Sequence, residues 1–157
     1  MTSIAPVRKE LVVRASQDHA FRVFTEGIDR WWPRQHHVGK SPMRRTAIEA
    51  FAGGAWYSIS EDDSICRIGK VLAWDPPGRL VLAWQITAHW QYDEAFVTEV
   101  EVTFTAIGPK ETRVVLEHRD LDRFGPAAAD TRTMIDAPGG WTLIFQSFAA
   151  EAAKPNA

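Results

Sequence analysis

The spacing of apolar residues changes period along this chain, and each change predicts an element. Lys9, Leu11 and Val13 alternate with Arg8, Glu10 and Val12, which predicts a first strand over Val7–Arg14 with a mixed face. Ser16 then offers an N-cap, and Asp18 sits in the first turn, where the helix dipole favours a negative charge. Phe21, Phe24, Ile28 and Trp31 follow at i, i+3, i+7 and i+10. They form the apolar stripe of a helix that holds its phase across Gly27, where it breaks into two pieces, and Pro33 stops it.

From Arg45 onward the period becomes two. Gly53-Gly54 is a turn, after which Trp56, Ser58 and Ser60 face opposite to Tyr57 and Ile59. The acidic tip Glu61–Ser64 reads as a second, solvated turn. Strands over Ile65–Trp74 and Arg79–Thr87 flank Asp75-Pro76-Pro77-Gly78, where proline presets a turn and lacks the N–H of a continuing central strand. Leu80, Leu82, Trp84 and Ile86 share one face of the second of these strands. Thr98, Val100, Val102 and Phe104 share one face of the next, opposite Glu99, Glu101 and Thr103, which marks an antiparallel sheet with one wet face. Thr112–Arg119 is the last strand, with Val114, Leu116 and His118 on one side. Trp141, Ile144, Phe145 and Phe148 at i, i+3, i+4 and i+7 then predict a long C-terminal helix over about Pro138–Ala153. Pro138 and Gly139-Gly140 separate it from a segment over Ala127–Ile135.

Strand, helix, six or so antiparallel strands and a closing helix make an α+β plan, with the last helix covering one face of a curved sheet. A length of 157 residues at 45% hydrophobic content suits one domain over 1–157, its ordered core about 7–152. A domain of that size buries roughly 70% of its unfolded surface. A formal charge of -2 and a pI near 6.2 supply no broad basic field, so neither nucleic acid nor an anionic membrane is an expected partner. The single Cys66 cannot form an internal disulfide. No apolar run nears the ~18 residues of a membrane span, and Met1–Arg14 shows no basic-then-apolar signal, so the expected location is cytoplasmic. Asn156, the one asparagine, lies outside any glycosylation sequon, in agreement.

The segments GKVLAWDPPGRLVLAW, TEVEVTFT, TRVVLEHRDLDRFG and GGWTLIFQSFA carry Gly-x-Val, Trp-Asp-Pro-Pro, Leu-x-x-x-Trp, Thr-Glu-Val and Gly-Trp signatures in order. With Trp31-Trp32-Pro33 and Gly53-Gly54, they make the chain resemble the family of activator-of-heat-shock-chaperone-ATPase homologues, within the START-like (SRPBCC) superfamily, from about Val7 to Ala152. The resemblance implies a helix-grip fold, in which a bent antiparallel sheet grips a long C-terminal helix. It also implies a cavity between the two that holds apolar small molecules in related proteins. Ser58 departs from the pattern, standing where many relatives have an acidic residue, and Asp63-Ser64 replaces an Asp-Gly turn.

The densest chemistry is WWPRQHH, Trp31–His37. Trp31 shares the phase of Phe21, Phe24 and Ile28 and is assigned to the core. Trp32 lies about 100° further round the helix, which leaves core packing and the border of a cavity entrance both open. His36 and His37 are adjacent and lack companion ligands at metal-site spacing, so no metal is expected. No cofactor is expected either. His118 ends the apolar row of Val114 and Leu116, as a satisfied, partly buried histidine or as a polar contact to a ligand. There is no Gly-x-Ser-x-Gly elbow and no phosphate-cradling glycine loop, and Cys66 has no neighbouring histidine, so no catalytic residue is assigned.

The inward faces place Trp84, Ile86, Val100, Val102 and Leu116 opposite Trp141 and Phe145 of the closing helix. With Trp32 and Trp56 as further aromatic walls, and His118 and the indole N–H of Trp56 or Trp84 as polar groups, these ten residues are the expected ligand site. The expected function is binding of an apolar small molecule. The alternatives are a co-chaperone-like interaction module, with a chaperone or a second copy of the chain as partner, and an enzyme of cyclase or hydrolase type working in the same cavity.

Overall fold

Seven strands form one curled antiparallel sheet in the computed structural model, which describes residues 4–37 and 40–154. The strands are β1 (Val7–Val13), β2 (Met43–Ile48), β3 (Ala55–Ser60), β4 (Ile65–Asp75), β5 (Arg79–Trp84), β6 (Thr98–Gly108) and β7 (Glu111–Arg119). Their order is β1-β7-β6-β5-β4-β3-β2, so β2 to β7 run as a meander and β1 docks on the far side of β7. Asn156 and the start of the Met1–Arg14 segment lie outside the described residues.

The alternation expected for the central strands is what buries them. Leu80 and Leu82 on β5, Val100, Val102 and Phe104 on β6, and Val114, Leu116 and His118 on β7 are all buried on the face that the helices cover. The opposite face of β6 and β7 is charged: Arg119 reaches Glu99, Glu101 and Glu117, and Arg79 bonds Glu101 at 2.6 Å. Irregular register bends the sheet at several places, one of them where Trp56 and Tyr57 of β3 face Gly69 and Arg67 of β4. The extra residue of that bulge is Ile68, and a bulge re-aims the side chain it frees.

Between β1 and β2 stand α1 (Gln17–Thr25) and α2 (Ile28–Trp31). The Ser16 side chain accepts from the His19 N–H at 3.2 Å, the expected cap. The break at Gly27 also occurs: a Cβ there would lie 2.9 Å from the Val23 carbonyl oxygen. The Trp31 indole donates to that same carbonyl at 2.7 Å, fixing α2 against the end of α1.

After β7 comes a 3-10 segment (Leu121–Ala127), then α3 (Ala128–Asp136), a π-helical turn (Pro138–Thr142) and α4 (Leu143–Ala152). The closing helix is therefore shorter in regular α form than its apolar stripe predicts. Its first turn, Pro138–Thr142, is widened because Gly140 leaves helical angles, with φ -93° and ψ -128°. Trp141, Ile144, Phe145 and Phe148 are buried as expected. Strand β5 also ends earlier than the Arg79–Thr87 pattern: its pairing with β6 stops at Trp84↔Thr98. Residues 85–93 instead fold back as a small hairpin arm, with Gln85 carbonyl accepting from Asp93 N–H at 2.9 Å and Ile86 bridging Tyr92. No helix among the described residues is long and apolar enough to cross a membrane.

Candidate ligand-binding cavity

A cavity of about 430 Å³ opens where six segments meet. The loop after α2 supplies Trp32, Gln35, His36 and His37, and the bulge of β4 supplies Ile68. Trp84 comes from the end of β5, with Ile86 and Trp90 from the hairpin arm. Met134 and Ile135 close it from α3, and Ala137, Gly139, Gly140, Trp141 and Ile144 from the π turn and the start of α4. Its size falls within the range of roughly 300–1,000 Å³ usual for small-molecule sites. Gly140 shapes the wall directly, since a Cβ at this position would press on the Ile135 carbonyl oxygen.

The walls are indoles in edge-to-face contact. Trp32 meets Trp56 at 5.6 Å between ring centroids, Trp56 meets Trp84 at 5.7 Å, Trp84 meets Trp141 at 5.8 Å, and Trp141 returns to Trp32 at 6.2 Å. The four rings close a circuit, with interplanar angles of 61–85°. Edge-to-face contacts set the positive ring edge against a negative face and hold each ring at a defined angle.

Behind this circuit runs a buried polar chain. The Trp141 indole N–H donates to His118 Nδ1 at 3.1 Å, which leaves the imidazole proton on Nε2. That nitrogen lies 2.8 Å from Thr98 Oγ1, whose hydroxyl donates in turn to the Trp84 carbonyl at 3.3 Å. His118 is fully buried rather than partly so, and burial pulls its pKa down to about 3, so the ring is neutral at physiological pH. Three other indoles are also satisfied internally: Trp31 by Val23, Trp32 by the His36 carbonyl at 2.8 Å, and Trp84 by the Ile86 carbonyl at 3.2 Å. The Trp56 N–H is buried without a partner.

Of the ten residues expected at the site, the structure brings Trp32, Trp84, Ile86 and Trp141 to the cavity surface. Trp56 and His118 stand directly behind that surface, in ring contact with Trp84. Val100, Val102, Leu116 and Phe145 are packed in the core and do not line it. Sequence reasoning missed Gln35, Ile68, Trp90, Met134, Ile135 and the Ala137–Gly140 edge. Only the WWPRQHH cluster carried a signal for the loop: His36 and His37, adjacent as they are, both face the cavity. Burial lowers the His36 pKa, opposed by a hydrogen bond to the Gly139 backbone, so this imidazole too is neutral near pH 7. Among the described residues no three His, Cys, Asp or Glu side chains converge as a metal site.

Comparison with known proteins gives both a family and structural neighbours. The family described as Activator of Hsp90 ATPase homolog 1-like protein matches residues 14–153. Among solved structures, an anthrahydroquino-Gama-pyrone synthase, Txn09, complexed with SUM, is 38% identical, with 96% of this chain and 99% of that one covered and a TM-score of 0.67. A self-sacrificing resistance protein, CalC from Micromonospora echinospora, is 32% identical over 94% of both chains, with a TM-score of 0.69. Protein NE0264 from Nitrosomonas europaea, at 11% identity and a TM-score of 0.65, shares the fold. No curated protein matched the chain.

Proposed function

The chain belongs to the Activator of Hsp90 ATPase homolog 1-like family, of the START-like superfamily, and on that footing we propose that it binds a flat, fused-ring aromatic small molecule in the tryptophan-walled cavity. The observation that carries this reading is the circuit of Trp32, Trp56, Trp84 and Trp141, three of whose rings face a hollow of about 430 Å³. Apolar walls that are pre-set in orientation suit a rigid, flat guest, because neither partner loses much conformational freedom on binding. The name of the 38% identical synthase points to the same compound class. The cytoplasm is the compartment we assign, in keeping with the lone free Cys66.

The test is a fluorescence titration with alizarin, a three-ring hydroxyanthraquinone. Saturable quenching of tryptophan emission at one site per chain is the expected result. Unsaturable, linear quenching removes this reading and puts the interaction-module alternative ahead, with a chaperone or a second copy of the chain as partner.

A second reading is an enzyme acting on such a compound, favoured by the neutral His36 imidazole in the cavity wall. A neutral imidazole near a phenolic hydroxyl exchanges its proton readily. Turnover lost in His36→Ala while alizarin still binds would establish this role; binding without turnover leaves the protein a carrier.

A further inference from the structure

Trp90 occupies a backbone position that is unfavourable for a bulky residue. Three residues, Ala88, His89 and Trp90, connect Thr87 to Gln91, whose backbones pair through Thr87 N–H and Gln91 carbonyl at 2.8 Å. The Trp90 N–H returns to the Thr87 carbonyl at 2.9 Å, and Trp90 has φ +60°. Three-residue hairpin loops of this kind end in a left-handed residue, and glycine or asparagine takes that place at least cost. A tryptophan there strains the backbone, and the residue is 45% exposed, so core packing does not account for it. The same residue lines the cavity while exposed to solvent, as does Met134 of α3, which places both at its edge. A strained backbone that holds an exposed aromatic at a cavity's edge does so for what the aromatic meets.

Resting on the proposed binding function, we propose that Trp90 is the clamp of this site: its indole stacks on the outer ring of a fused-ring ligand whose inner rings lie against Trp84 and Trp141. The ligand class follows from this. It is an aromatic system of three or more fused rings, long enough to extend from the inner wall to the rim, and best if electron-poor like a quinone, since indole is electron-rich. A one- or two-ring compound fits wholly inside and gains nothing from Trp90.

The test compares wild type, Trp90→Gly and Trp90→Tyr for binding of alizarin and of 2-naphthol, alongside thermal unfolding. Trp90→Gly is expected to weaken alizarin about tenfold, ~1.4 kcal/mol, mainly through faster dissociation, and to leave naphthol binding unchanged. Its thermal midpoint is expected to hold or rise, because glycine relieves the left-handed backbone, and Trp90→Tyr is expected to recover most of the alizarin affinity. Unchanged alizarin binding in Trp90→Gly overturns the clamp while leaving the binding function intact. A lowered midpoint with both ligands weakened equally also overturns it, making Trp90 a structural residue. Wild type failing to bind either compound overturns the proposed function and the clamp with it.

Discussion

The indole of Trp141 is oriented by a histidine that is sealed from solvent: its N–H reaches His118 Nδ1 at 3.1 Å, and His118 is fully buried. The helix that closes the cavity and strand β7 behind it are thus joined by a hydrogen bond whose direction is set by the tautomer of His118. Protonation at Nδ1 would replace that acceptor with a second donor, so the bond requires the neutral ring.

The first prediction is a pH dependence of stability. The folded-state pKa of His118, about 3, lies below the 6.5 of an unperturbed histidine, so below pH 6.5 the unfolded chain takes up a proton that the native one refuses. Its contribution is complete above pH 6.5 and is lost as pH falls toward 3, at about 1.4 kcal/mol per pH unit. Chemical denaturation of wild type and His118→Gln between pH 7 and 4 isolates it, because the other titrating groups are common to both. Equal slopes in the two proteins would contradict the buried neutral ring.

Two tryptophan substitutions should separate binding from stability. Trp31 is enclosed by Phe24, Phe148 and Trp32 and does not line the cavity, so Trp31→Ala is expected to cost about 3–5 kcal/mol of stability. Trp84 is half-buried and lines the cavity. Trp84→Ala is expected to weaken alizarin binding more than Trp31→Ala does, measured under conditions where both variants remain folded. The reverse order would remove Trp84 from the binding wall.

Gly69 should tolerate no side chain. It pairs with Trp56 on one side and Trp84 on the other, and a Cβ on it would run into the Ala83 carbonyl oxygen. Gly69→Ala must open the ladder between β4 and β5 just where two walls of the circuit are anchored. A loss of roughly 1–3 kcal/mol is expected, together with weaker quenching by alizarin. Wild-type values for both would show that the strand yields without disturbing the rings.

His36 and His37 should bind no structural metal, because among the described residues no third ligand converges on them to complete a zinc site. Metal analysis of the purified protein is expected to give no stoichiometric zinc. Zinc at one per chain, lost in His36→Ala, would refute this.

The inward and outward faces of the sheet were legible in the sequence because a half-buried strand has a period of two whatever lies above it. Val114, Leu116 and His118 were placed on one side by alternation alone, and all three are buried there. Alternation says nothing about what an inward residue touches. The partners of His118, Thr98 and Trp141, are 20 and 23 residues away, brought to it by β-pairing and by the last helix. The rim of the cavity was less legible still. Trp90, Met134 and His36 come from an arm, a helix and a loop whose convergence depends on the curl of the sheet and the departure of Gly140 from helical angles. Met134 looks like an ordinary surface residue of a short helix until that geometry exists.

The internal satisfaction of the indole N–H groups bears on what the cavity is able to tell apart. Trp32, Trp84 and Trp141 each spend their one donor on an acceptor of the protein, His36, Ile86 and His118 respectively. What they turn toward a guest is ring surface, which carries no hydrogen-bond code. At the indole walls selectivity then comes from outline and thickness alone, so compounds that share a flat skeleton but differ in hydroxyl or methoxy groups along its edge should be told apart only where those groups meet Gln35, His36 or His37, the polar side of the lining.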